Sequence, residues 1–115
     1  MRLRYIALLT LMVLVAGCIQ LSHPRVDCNK LVDTKQRNEC LYNRSIASLD
    51  TSSCSNIIGE ALRVKCIDEV AVEVLDFYPC KQQDKQYQRD ACETKVGEAR
   101  KVAREKMKQT STTQP

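Results

Sequence analysis

A continuous apolar run, residues 5–15, opens the chain, and longer segments follow in which apolar and polar positions alternate at helical spacing. Residues 60–76 contain good helix formers without proline or glycine, which predicts a long helix. Residues 35–49 carry a weaker amphipathic pattern of the same period. A third apolar stripe predicts a helix that runs to about Lys108, and it consists of Cys92, Val96, Ala99, Ala103 and Met107.

Capping and turn residues predict a shorter helix before each long one. Asp50 begins a turn and N-cap signal, and Pro79 suits the first position of a short helix. Asp33 precedes Gln36 by three residues, which is the spacing of a capping box, and Gly59 interrupts the second unit near the end of its short helix. Each unit is therefore predicted to be a short helix, a tight turn and a longer helix.

The cysteines show that this pattern repeats. Seven cysteines are present, and the last six are separated alternately by 12 and 14 residues, which gives a period of 26. The fold class predicted for residues 28–108 is all-α, with three helical hairpin repeats stacked as a short array. One arginine stands at the same position in every repeat, and the three are Arg37, Arg63 and Arg89.

Two disulfide arrangements are compatible with this spacing. In antiparallel hairpins the two cysteines of one repeat lie about equally far from the turn, so their Cα atoms can approach within bridging distance. We therefore predict that the disulfides join Cys28 to Cys40, Cys54 to Cys66 and Cys80 to Cys92. The alternative links Cys40 to Cys54 and Cys66 to Cys80, with Cys28 and Cys92 paired together or free.

The N-terminal residues have the three parts of a secretory signal. Arg2 and Arg4 provide positive charge, the apolar run follows, and the small residues Ala16 and Gly17 close it. The run is shorter than the roughly 20 apolar residues that a membrane-spanning helix needs. Residues 1–17 are therefore predicted to be a signal peptide.

Val15-Ala16-Gly17-Cys18 resembles the lipobox of prokaryotic lipoproteins. The resemblance implies a diacylglyceryl group on Cys18, cleavage just before it, and attachment to the extracytoplasmic face of the cell membrane. Lipidation also explains the odd cysteine, because the other six can pair in an oxidising compartment. Two alternatives stay open: a bystander cysteine in an ordinary signal, or a buried residue of an uncleaved anchor. In some bacteria with two membranes, an aspartate directly after the lipidated cysteine resembles an inner-membrane retention signal. Position 19 of this chain is isoleucine, which favours the outer membrane as the destination where the host has one.

Outside the repeats, residues 18–27 form the lipidated cysteine and its tether, and residues 109–115 form a polar tail predicted to be disordered. Residues 19–115 carry 16 basic and 14 acidic side chains, a balance too mild for a nucleic-acid partner. Residues 50–76 are nonetheless acidic, and residues 81–108 are basic. These segments could attract each other, contact anionic lipid or remain solvated.

Catalytic and metal-binding patterns are not evident in the sequence. His23 lies alone in the tether, no two of the last six cysteines are closer than twelve residues, and Asp68-Glu69 is interpreted as surface. We predict no enzyme activity and no cofactor beyond the covalent lipid.

The three repeated arginines allow two interpretations. They could form a row that binds carboxylates or phosphates of a partner, or each could hold an acid or a helix C-terminus within its own repeat. The sequence predicts an envelope lipoprotein that acts as a protein-interaction or structural module, with another envelope protein or peptide as partner. The alternative is a thiol-based redox or metal-handling protein that uses the six cysteines.

Overall fold

The computed structural model describes residues 26–112, and no strand occurs within that range. Short 3₁₀ helices alternate with α-helices, as the repeat predicted, and the three α-helices begin 26 residues apart. The 3₁₀ helices are Cys28–Lys30, Thr51–Asn56 and Pro79–Gln82. The α-helices are α1 (Thr34–Ser48), α2 (Glu60–Glu73) and α3 (Gln86–Thr112).

Aspartate side chains start several of these helices. The Asp33 carboxylate accepts a 2.8 Å hydrogen bond from the Gln36 backbone N–H, which confirms the predicted cap of α1. The Asp50 carboxylate accepts from the Ser52 N–H at 3.1 Å at the second 3₁₀ helix. The third 3₁₀ helix begins at Pro79, also as predicted. Gly59 is the residue before α2 and has a φ of 113°, so it serves the turn between the two helices of its repeat.

The first two repeats end in the same turn, with a leucine where glycine is usual. Leu49 and Leu75 both have a φ of 54°, in the left-handed region. The N–H of the following aspartate, Asp50 or Asp76, donates back to the α-helix over 3.1 Å in both repeats. At the corresponding position of the third repeat α3 does not turn, and it continues to Thr112. Residues 109–112 are therefore helical, which corrects the predicted disordered tail, and residues 113–115 lie outside the described range.

Each repeat contains one disulfide that joins its 3₁₀ helix to its α-helix. The predicted pairing is confirmed, and the alternative pairing across the loops is not formed. The Cα–Cα distances are 5.6, 5.7 and 5.5 Å, within the range that a disulfide spans. The bridges are Cys28–Cys40, Cys54–Cys66 and Cys80–Cys92.

The disulfides lie within two apolar clusters that form the core. One cluster joins repeats 1 and 2 around Leu41, Ile57 and Val70, and the other joins repeats 2 and 3 around Ala71 and Val96. Phe77 packs against the second cluster at the junction with the third repeat. The neighbouring Tyr78 is 66% exposed.

The last repeat presents a polar outer face. Leu41 and Ile67 occupy equivalent positions, and both are almost fully buried in the cluster that joins repeats 1 and 2. The same position in the third repeat is Glu93, which is exposed. Repeat arrays need such a polar terminal unit to remain soluble.

Candidate interaction groove

A groove of about 470 Å³ runs along the outer side of α2, the middle α-helix of the stack. It is bordered by α1 on one side and by α3 on the other, and most of its lining comes from one face of α2. The residues that line it are Ile46, Ala61, Val64, Lys65, Asp68, Glu69, Val72, Glu73 and Lys95.

Charged residues in the groove are mostly paired with one another. Lys95 Nζ lies 2.5 Å from Asp68 Oδ2, and Lys65 Nζ lies 3.7 Å from Glu69 Oε1. The Glu73 side chain forms no hydrogen bond or ion pair with any residue in the described range. The groove therefore offers a visiting molecule an apolar floor and one unpaired carboxylate.

Asp68 is a structural residue and not a surface one, which corrects the sequence interpretation. Its side chain is 6% exposed, and Oδ1 accepts a 2.9 Å hydrogen bond from Gln83 Nε2 while Oδ2 contacts Lys95. A buried carboxylate is tolerated when its oxygens are paired in this way. Asp68 thus fastens repeat 2 to repeat 3.

Tyr42 of α1 contacts two charged residues that line the groove, Lys65 and Glu69. Its hydroxyl donates a hydrogen bond to Glu69 Oε2, and the Lys65 ammonium lies 5.5 Å from the centre of its ring. The hydrogen bond to Glu69 raises the pKa of Tyr42 from 10.0 to about 12, with smaller contributions from burial and from the charge of Glu69. This contact ties repeat 1 to repeat 2.

The attraction between the acidic and basic segments is confirmed at the junction of repeats 2 and 3. Lys85 Nζ and Gln88 Nε2 each lie 2.6 Å from Glu60 Oε1, and Arg63 pairs with Asp84 at 3.3 Å. The hydrogen bond from Lys85 is the main cause of a lowered pKa at Glu60. Together with the Lys95–Asp68 pair, these contacts cross from α2 to the third repeat.

The repeated arginines make one contact three times. Arg37 Nε donates to the Leu31 carbonyl at 3.2 Å. Arg63 and Arg89 donate to the Ile57 and Gln83 carbonyls at 3.3 and 2.7 Å. Each carbonyl belongs to the C-cap residue that directly follows a 3₁₀ helix. These are the contacts that the structural interpretation expects, and binding of a partner by the arginines stays a prediction.

A second depression of about 720 Å³ lies beside repeat 1, next to Arg44, Asp27 and Asp50. Serines and charged groups dominate its lining, and Arg44 reaches across it to donate to the Val26 carbonyl. We take the groove on α2 as the candidate site because it combines apolar side chains with charged side chains that are paired with one another.

Within residues 26–112 no three His, Cys, Asp or Glu side chains are grouped so that they could hold a metal ion. No helix in that range is both long and apolar enough to cross a membrane. The predicted signal, the lipobox with Cys18, and His23 lie outside the described residues.

The groove and the fold together define the class of protein: an all-α array of disulfide-stapled hairpins with a surface groove. No family model, no curated protein and no solved structure matches the chain.

Proposed function

We propose that this chain is an exported lipoprotein, anchored by a lipid on Cys18 to the extracytoplasmic face of the cell membrane. Its repeat domain acts there as a protein-interaction or structural module of the cell envelope. The observation that carries the anchor is the cysteine balance: three disulfides use six of the seven cysteines, and the seventh ends the lipobox-like tetrapeptide.

Buried disulfides support the exported location. All of the disulfide cysteines except Cys40 are 0% exposed. Disulfides that form and persist indicate an oxidising compartment. Sulfurs without solvent access also suit a structural role better than thiol exchange, in which a thiolate must reach the bond.

The groove on α2 supports the interaction role. It lies between two neighbouring helices, has an apolar floor and is open to solvent, as expected for a surface that receives a peptide segment or helix. Its apolar lining comes from Ile46, Ala61, Val64 and Val72.

The anchor is tested by the intact mass of the protein isolated from membranes, alkylated before and after reduction. We expect a chain that begins at Cys18, carries added lipid mass and reveals six thiols only on reduction. The matched variant Cys18→Ser should lose the lipid mass and leave the membrane fraction, with its three disulfides intact. Thiols that react before reduction would favour the thiol-based alternative.

The interaction role is tested by a photoreactive residue placed at Ala61, which is exposed and lines the groove. The control position is Lys81, which is exposed outside the groove. We expect one envelope protein to cross-link from position 61 and not from position 81, and Glu73→Lys to weaken that product. Equal products from both positions, or none from either, would contradict the proposal.

A further inference from the structure

The end of α3 projects beyond the repeat domain. Arg100 connects α3 to repeat 2, because its Nε donates to the Leu75 carbonyl at 2.7 Å and its guanidinium lies 4.1 Å from the centre of the Phe77 ring. The helix continues for twelve more residues, a rise of about 18 Å. Every side chain from residue 104 to residue 111 is exposed.

This projecting segment, residues 101–111, is basic. Lys101, Arg104 and Lys106 form no ion pair with the described residues, and Lys108 adds a fourth base. Glu105 is the single acidic residue of the segment. A second copy of the same segment would bring like charges together, so the charge favours an anionic surface as its partner.

The segment also has an apolar side. Ala103 and Met107 are one turn apart and extend the stripe with which α3 packs on the core, and Met107 is 62% exposed. At 100° per residue, Arg104 and Lys106 flank this stripe on opposite sides, and Glu105 lies on the far side of the helix. An apolar stripe between two cationic flanks is the pattern of a helix that lies at a membrane interface.

We propose that residues 101–111 lie on the anionic surface of the bilayer. Ala103 and Met107 face the acyl chains, and Arg104 and Lys106 lie among the headgroup phosphates. This proposal rests on the proposed lipid anchor, since a tether of residues 19–26 spans at most about 30 Å and keeps the domain beside the membrane. The basic segment would add an electrostatic contribution to the attachment that the diacylglyceryl group provides.

The chain contains no tryptophan, so one introduced indole reports its own surroundings. We would place it at Met107 (Met107→Trp) and, as the matched control on the far side of the same helix, at Glu105 (Glu105→Trp). The processed protein is mixed with vesicles of phosphatidylcholine, with or without phosphatidylglycerol. We expect a blue-shifted emission for Met107→Trp on anionic vesicles only, reversed at about 1 M NaCl, where the Debye length is about 3 Å.

Charge variants test the flanking bases. Arg104→Gln with Lys106→Gln, in the Met107→Trp background, should lower the ratio of surface-bound to free segment about 30-fold, because each base contributes roughly a factor of five. Lys30→Gln with Lys35→Gln removes the same charge from exposed positions in repeat 1 and should leave the emission unchanged.

Several outcomes would overturn the proposal: no shift on anionic vesicles, equal shifts at positions 105 and 107, or the same shift with inorganic phosphate alone. Co-flotation of the protein with neutral vesicles tests the lipid anchor independently of the charge on the segment. A protein that floats without an indole shift overturns the surface contact and keeps the anchor. A protein that shifts only on anionic vesicles, without floating on neutral ones, keeps the contact and overturns the anchor.

Discussion

The carbonyl at the end of each 3₁₀ helix accepts a hydrogen bond from an arginine six residues later. A 3₁₀ helix of three to six residues leaves its last carbonyls without partners inside the helix. The guanidinium satisfies one of them and holds the short helix against the first turn of the α-helix. The arginine therefore recurs in every repeat because its hydrogen bond stabilises the packing of the short helix against the α-helix.

We expect Arg37→Met to lower the free energy of unfolding by about 1 kcal/mol, because the partly buried Leu31 carbonyl loses its donor. Lys35→Met is the matched control, since Lys35 is exposed on the same helix, and its effect should be close to zero. Urea unfolding of both variants measures the difference. Arg37→Met could instead leave the free energy of unfolding unchanged and abolish cross-linking of the partner from position 61. That result would favour the interpretation in which the arginines bind a partner.

Ser45 is a residue whose hydroxyl the fold does not use. Its Oγ is buried and has no hydrogen-bond partner among residues 26–112, and the equivalent residue of the second repeat is Ala71. We expect Ser45→Ala to raise the free energy of unfolding by about 1 kcal/mol, since it removes an unpaired polar group and improves helix propensity.

Ser48→Ala provides the comparison for that measurement. The substitution is the same and lies in the same helix, but the Ser48 hydroxyl is exposed and donates to the Arg44 carbonyl at 2.8 Å. Its effect on urea unfolding should be within about 0.5 kcal/mol of zero. A Ser45→Ala protein less stable than wild type would contradict the interpretation of an unsatisfied hydroxyl.

Helices of neighbouring repeats are joined by different means at the two junctions. Asn38 of α1 exchanges two hydrogen bonds with the backbone of Ile58, at 2.7 and 3.0 Å, and Tyr42 reaches Glu69. The second junction relies on ion pairs, among them Lys85 with Glu60. The junction of repeats 2 and 3 is therefore the more sensitive to salt and to acid, because exposed ion pairs are screened and protonated.

The Tyr42–Glu69 contact should make stability decline at alkaline pH. Because folding raises the pKa of Tyr42, the contribution is complete below pH 10.0 and is lost as the pH rises through about 12. Urea unfolding measured across this interval should show a smaller decline in Tyr42→Phe. Tyr78→Phe, at a position 66% exposed, should keep the wild-type decline. Identical profiles for Tyr42→Phe and wild type would contradict the assigned contact.

Local features of the fold could be predicted from sequence, and contacts between repeats could not. Cysteine spacing constrains a hairpin directly, and an aspartate such as Asp33 marks a helix start through its own backbone neighbours. The burial of Asp68 depends on where Gln83 and Lys95 lie once the repeats have stacked. The left-handed turns at Leu49 and Leu75 were not foreseeable from residue type, because leucine disfavours the left-handed region.

Across the whole molecule, the disulfides compensate for a thin core. The chain has no tryptophan and one phenylalanine, and its buried apolar side chains are few and of modest size. Each disulfide joins residues 12 apart, and a loop of that size contributes about 3 kcal/mol in the chain-entropy description. Three such loops contribute about 9 kcal/mol, which is comparable to the stability of a whole domain.

We therefore expect reduction to unfold most of the domain at ambient temperature. Thermal melts followed by circular dichroism, with and without reductant, measure this, and the alkylated reduced protein provides the control against reoxidation. A melt that reductant leaves unchanged would show that the apolar clusters suffice without the crosslinks.

The exposed carboxylate of Glu93 also has a consequence for how such a chain can lengthen. The corresponding residues of the first two units, Leu41 and Ile67, are buried inside the stack, whereas Glu93 is exposed. A duplicated 26-residue segment inserted between existing units would leave Glu93 exposed, whereas a further unit that packed over Glu93 would bury a charge. Gene duplication would extend this molecule from within and preserve both of its ends.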